Sequence, residues 1–156
     1  MQKWSVQRAV LVGGFIGGLG DIIFAISWSA YNGGTPQGLL QAVASGALGS
    51  ASYEGGWATA ALGLALHFLI AYFFATAYVL ASRAIPFLVR KPVLAGALFG
   101  FGVLFFMRLV VLPLSAFPHP VNFKPLGTSL DLLSHMFLFG VPIALSARKA
   151  APGDAT

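Results

Sequence analysis

The chain has 156 residues, 58% of them hydrophobic and only 8% charged, with a formal net charge of +5. In soluble domains roughly a quarter of the residues are charged, so this composition excludes a protein with most of its surface exposed to water. The basic residues lie at the ends of apolar runs, which is typical of residues that orient a protein in a membrane. They do not form a continuous basic stripe that could bind phosphates, so no nucleic-acid partner is predicted. Because the sequence has no cysteine, disulfides and thiolate metal ligands are excluded as well.

The chain divides into one predicted domain, residues 1–149, and a polar tail, residues 150–156. Apolar runs in the domain reach the roughly 20 residues that a helix needs to cross a bilayer. These four predicted spans lie at about residues 9–31, 58–81, 93–112 and 127–147. The predicted fold class is therefore an all-α membrane protein with four transmembrane helices in a lipid bilayer. A short interfacial or re-entrant helix is predicted between the first and second spans.

The first span is rich in glycine. Its apolar run from Ala9 to Tyr31 is longer than the core of a secretory signal, so we expect a retained helix. Small residues four positions apart let another helix approach closely. Such faces also predict a homo-oligomer. The glycines concerned are Gly13, Gly14, Gly17, Gly18 and Gly20 in the first span and Gly96 and Gly100 in the third.

A short helix is predicted after the first span. Thr35 is a favourable N-cap and Pro36 a favourable first residue, and the pattern ends at about Gly49. At about 14 residues it is too short to span the bilayer, so we expect it to lie in the interface or to dip into it. Its apolar side is predicted to hold Leu39, Leu40, Val43, Ala47 and Leu48, and its polar side Gln37, Gln41 and Ser45.

The distribution of lysine and arginine predicts that both termini are cytoplasmic. One side of the predicted topology, made of the termini and the second loop, holds Lys3, Arg8, Arg83, Arg90, Lys91, Arg148 and Lys149, whereas the first and third loops hold only Lys124. The proline-rich third loop, residues 113–126, is predicted to be extended and to cover one side of the bundle.

Several ionisable residues fall inside the spans. Asp131 and His135 are four residues apart, which places them on one face of a helix. Arg108 and Asp131 are expected about one turn inside the outer boundary, and Asp21, His67 and His135 about two to three turns in. Such groups are costly in hydrocarbon, so a functional site is the default hypothesis. We therefore predict a buried cluster in the outer half, with Arg108 paired to Asp131; the alternative is a purely structural role.

The leading functional hypothesis is a non-enzymatic protein whose aspartate and histidine groups respond to or relay protons. A first alternative is a cofactor protein, in which His67 and His135 ligate haem b, or His67, His135 and Asp131 hold a divalent metal. An accessory subunit of a larger membrane complex is another. An enzyme at the outer interface would use Glu54, His119 or His135 as general base, but no nucleophile elbow, phosphate loop or HExxH pair is present, so no enzyme is predicted.

A block pattern runs through residues 67–149. It consists of His67, Tyr78 and Pro86, then Leu94-Ala95-Gly96-Ala97-Leu98, Met107, Pro113-Leu114, the Asp131-xxx-His135 unit and terminal basic residues. In this pattern the chain resembles the YagU type of small bacterial inner-membrane proteins. The resemblance implies a location in the bacterial inner membrane and a role in acid resistance. It carries over no catalytic residues.

Overall fold

A computed structural model describes residues 3–151, so most of the predicted polar tail lies outside the described residues. Within that range the chain is helical and has no strand. Four helices are long and apolar enough to cross a membrane, which confirms the predicted fold class. The helices are α1 Val6–Tyr31, α2 Pro36–Leu48, α3 Gly56–Ala81, α4 Phe87–Arg90, α5 Pro92–Leu114 and α6 Pro125–Ala150.

The glycines of α1 pack against two other helices at once. Gly13 and Gly17 face α6, and Gly14 and Gly18 face α3, each so closely that an added methyl group would press on its neighbour. The predicted close approach is confirmed, and it occurs inside the chain. These glycine faces are occupied by other helices of the same chain. The homo-oligomer stays a prediction, and it would need another surface.

Helices α5 and α6 meet backbone to backbone. A methyl group at Gly100 would collide with the backbone of His135, and one at Gly96 would collide with that of Gly140. Only glycine permits such an approach, since any side chain would force the helices apart. This contact holds the backbone of His135 against α5.

Both of these helices widen into a π-helical turn. The turn in α5 covers Met107–Val111, and the turn in α6 covers Ser134–Gly140. Each is followed by a proline, Pro113 or Pro142, which has no N–H to offer the preceding turn. Single π-helical turns inside α-helices are frequent at functional sites. Each turn here carries a residue of the site described below.

The short helix α2 begins as predicted, because the Thr35 hydroxyl accepts a hydrogen bond of 3.0 Å from Gly38 N. Burial does not follow the division into a polar and an apolar side. Gln41 and Ser45 are buried, while Leu48 is exposed. The reason is that the Gln41 side-chain amide donates to the Gly56 carbonyl at 3.1 Å, where the chain enters α3. The polar side of α2 therefore faces protein.

The two ends of the described chain lie together. The backbone N–H of Trp4 donates to the carbonyl of Lys149 at 3.0 Å. The Lys149 ammonium stands 4.5 Å from the centre of the Trp4 ring, and the Arg8 guanidinium lies 4.7 Å from it. Both ends of the described chain are thus at one end of the bundle, and α2 and the loop after α5 lie at the other.

Candidate functional site

A cavity of about 600 Å³ opens between α2 and the four long helices. Its walls are mostly apolar, and residues of the loop from Ser115 to Asn122 line one end. That loop is tied to α2 because Ala116 N donates to the Gly46 carbonyl at 2.9 Å. The loop that was predicted to cover one side of the bundle thus forms part of the cavity wall. The wall residues include Leu39, Val43, Leu66, Ile70, Phe74 and Val103.

Arg108 and Asp131 form the predicted ion pair. Nη2 of Arg108 lies 2.8 Å from Oδ2 of Asp131. Nη1 of the same guanidinium donates to the carbonyl of Asn122 at 2.8 Å and points to the Thr128 hydroxyl at 3.5 Å. The guanidinium therefore links α5 to α6 and to the loop between them.

His135 lies between two carboxylates. Its Nδ1 is 3.2 Å from Oδ1 of Asp21, 3.2 Å from Oδ1 of Asp131 and 3.0 Å from the Asp131 carbonyl oxygen. All of these neighbours are oxygens that accept hydrogen bonds, so Nδ1 carries a hydrogen and donates it. Oδ1 of Asp21 also accepts a bond of 3.1 Å from the Ser134 hydroxyl. Residues from α1 and α6 thus meet at one ring nitrogen.

The prediction that this cluster is buried is wrong. The exposed fractions of the side chains are 12% for Asp21, 15% for His135, 19% for Arg108 and 25% for Asp131. The physical reason is that these side chains line the cavity and do not fill the core. With a neutral His135, two carboxylates and one guanidinium leave one negative charge at this wall.

His67 stands apart from the cluster. Its Nε2 donates to the Gly18 carbonyl at 2.8 Å, which fixes the ring between α3 and α1. Among residues 3–151, Asp21, Asp131 and His135 are the group whose candidate ligand atoms lie within 4.8 Å of one another. The predicted metal-ligand set is thus changed, because Asp21 takes the place of His67. A haem bound between His67 and His135 would cost His67 this bond or require its other nitrogen.

The two interfacial candidates are not brought to the cluster. Glu54 is exposed at the end of the 3-10 turn Gly49–Glu54. His119 is exposed on the loop after α5, where its ring lies 5.9 Å from that of Tyr53. Neither residue lines the cavity.

Sequence reasoning missed two members of the site. Ser134 could have been found, because it is a hydroxyl next to His135 inside an apolar span. Asn122 contributes only its backbone carbonyl, so its side chain holds no signal of this role. The position of its carbonyl depends on how the loop after α5 folds back.

Searches against protein-family models, curated proteins and solved structures found no match to this chain. The four apolar helices define a multi-pass membrane protein. Within that class, it has an aspartate–histidine–arginine cluster on the wall of a cavity that reaches one end of the bundle.

Proposed function

We propose that this protein takes up and releases protons at His135 through the cavity, without enzymatic activity. The observation that carries the proposal is that Nδ1 of His135 is held between Asp21 and Asp131 while the same ring lines the cavity. Histidine is the side chain whose ordinary pKa lies nearest physiological pH. A ring held in this way is suited to change its charge without moving.

The two ring nitrogens have different tasks. Nδ1 keeps its hydrogen because it faces oxygens from Asp21 and Asp131. Nε2 has no hydrogen-bond partner among residues 3–151, so its lone pair is free to accept a proton from the cavity. The proton brings the cluster from one negative charge to none, and the carboxylates compensate the imidazolium.

The charged and titratable surroundings of His135 come from several helices. Asp21 is on α1, His67 on α3, Arg108 on α5 and Asp131 on α6 itself. Helix α2 presents only uncharged residues to the cavity. Arg108 holds Asp131 in place, which makes it a positioning residue for the His135 ring.

The cellular setting completes the proposal. The protein lies in the bacterial inner membrane with both termini cytoplasmic, which turns the cavity end outward. Protons from outside the membrane then reach His135 through the cavity, in agreement with the acid-resistance role that the YagU-type resemblance implies. The basic residues at the other end support this orientation.

The direct test follows the His135 ring nitrogens by nitrogen-15 NMR of the purified full chain in detergent. Between about pH 8 and pH 5, Nε2 should gain a proton while Nδ1 stays protonated. His135→Phe removes and thereby assigns the signal, and His119→Phe and His67→Phe are matched controls that should leave it in place. A His135 ring that keeps one protonation state throughout would overturn the proposal.

A cellular experiment tests the consequence. Cells that carry the wild-type chain should survive low external pH better than cells carrying His135→Phe at matched expression. Phenylalanine nearly retains the ring volume and removes the polar group, so the variant should stay folded. The control His119→Phe should protect like the wild type. Equal survival with His135→Phe would refute the acid-resistance role.

A second candidate function is divalent-metal binding, and the grouping of Asp21, Asp131 and His135 favours it. Two carboxylates and one imidazole are suitable ligands for Zn²⁺ or Mn²⁺. The Arg108 guanidinium competes for Asp131, which favours the proton over the metal. Titration of the apoprotein with Zn²⁺ or Mn²⁺ in a calorimeter decides: binding that Asp21→Asn abolishes would support the metal site.

A further inference from the structure

The cavity has the size and lining of a small-molecule site. Its volume of about 600 Å³ lies within the roughly 300–1,000 Å³ of typical ligand pockets. Such pockets combine apolar walls with a few convergent polar groups. Here the charged groups are confined to Asp21, Arg108 and Asp131, and most other lining residues are apolar.

The charge of the wall favours a cation. With neutral histidines, Asp21 and Asp131 outnumber the single Arg108, which leaves one negative charge. The guanidinium is already directed at Asp131, Asn122 and Thr128, so it offers little to an anion. Helix α2 adds no charged side chain to the lining. A ligand with one positive charge would therefore neutralise the site.

The apolar part of the cavity suits the body of such a ligand. Phe74, Phe117 and Phe139 line the wall together with aliphatic side chains. Aromatic faces attract cations, and burial of apolar surface adds to the affinity. A small hydrated ion would make no apolar contacts with these walls. An amphipathic molecule would use both the walls and the carboxylates.

We infer that the cavity binds an amphipathic organic cation in exchange for the proton of His135. The inference rests on the proposed function, because the exchanged proton is the one that Nε2 of His135 takes up. As the cation enters, that proton leaves to water, and the site has no net charge before and after. No covalent bond changes.

The test uses the purified full chain in detergent and tetraphenylphosphonium as the probe, with tetraphenylborate as a control of the same shape and opposite charge. At about pH 8 the phosphonium should bind saturably, one per chain, and at least about tenfold more tightly than at pH 5. Calorimetry in buffers of different ionisation enthalpy should detect up to about one proton released per cation, most near the midpoint of the His135 titration.

Matched variants locate the binding site. Asp21→Asn and Asp131→Asn should each weaken phosphonium binding at least about tenfold at pH 8. Glu54→Gln removes a carboxylate outside the cavity and should leave binding unchanged. Thermal unfolding of each variant checks that it is folded, and the comparison of the two probes on the wild type does not depend on any variant.

The outcomes separate the inference from the proposed function. Equal affinity for tetraphenylborate, or no saturable phosphonium binding, would overturn the organic-cation site even if NMR shows that His135 takes up its proton. Saturable binding with no proton release and no effect of pH would overturn the exchange. If NMR then also shows that the His135 ring never changes its protonation state, the proposed function is overturned as well.

Discussion

The carboxylate of Asp21 on the first helix lies 3.2 Å from Nδ1 of His135 on the last, and its Oδ1 accepts a hydrogen bond of 3.1 Å from the neighbouring Ser134 hydroxyl. The Asp21 carboxylate thus links the first and last helices at the wall of the cavity. The close packing of Gly17 and Gly20 on α6 makes this approach feasible, because larger residues would separate the helices.

The Ser134–Asp21 bond should contribute measurably to stability. Ser134→Ala removes the donor to a carboxylate whose side chain is only 12% exposed, so we expect the free energy of unfolding to fall by about 1–3 kcal/mol. Thermal or denaturant unfolding in detergent measures this. The matched control is Ser27→Ala, since the exposed Ser27 hydroxyl bonds only to its own helix, at Ile23 O. Equal effects of the two substitutions would contradict the prediction.

The Arg108–Asp131 pair should show energetic coupling. Arg108→Leu and Asp131→Leu each leave one charge without its partner, whereas the double variant leaves neither. Because both side chains are partly exposed, we expect a coupling energy of about 0.5–3 kcal/mol, below the cost of breaking a fully buried pair. A double-mutant cycle of unfolding free energies measures it. Strictly additive losses would show that the ion pair contributes nothing.

The contact between Gly100 and the His135 backbone should tolerate no side chain. Gly100→Ala pushes α5 away from α6 at the site, and such overpacking costs about 1–3 kcal/mol. Gly102→Ala is the matched control in the same helix, because a methyl group there meets nothing within 4 Å. It should be neutral or slightly stabilising, since alanine is the better helix former. Loss of stability in Gly102→Ala equal to that in Gly100→Ala would refute the argument.

The predicted orientation can be tested with reporter fusions. The basic residues predict that both termini are cytoplasmic, so a fusion after Lys149 should report a cytoplasmic location. A second fusion within Ala116–Lys124 should report the opposite side. A periplasmic signal from the first fusion would reverse the orientation and turn the cavity toward the cytoplasm.

Much of the architecture was predictable from local chemistry. Runs of about 20 apolar residues are read directly as spans, and Thr35-Pro36 marks the start of α2 because capping involves only neighbours in the chain. The Arg108–Asp131 pair was also predictable, because similar depth in a bilayer leaves few alternative partners. The burial of Gln41 was not, since the partner of its side chain lies at the start of another helix.

The sequence by itself determined that this chain is a bundle of four apolar helices with costly ionisable groups inside its spans, because hydrophobic length and charge are properties of each segment. Apart from the Arg108–Asp131 pair, only the tertiary structure decided which of those groups meet. His67 on α3 bonds to the Gly18 carbonyl, while the glycines of α1 and α5 pack closely on α6, where His135 lies between Asp21 and Asp131. Such contacts join different helices, so they depend on how the helices pack and cannot be read from any single segment.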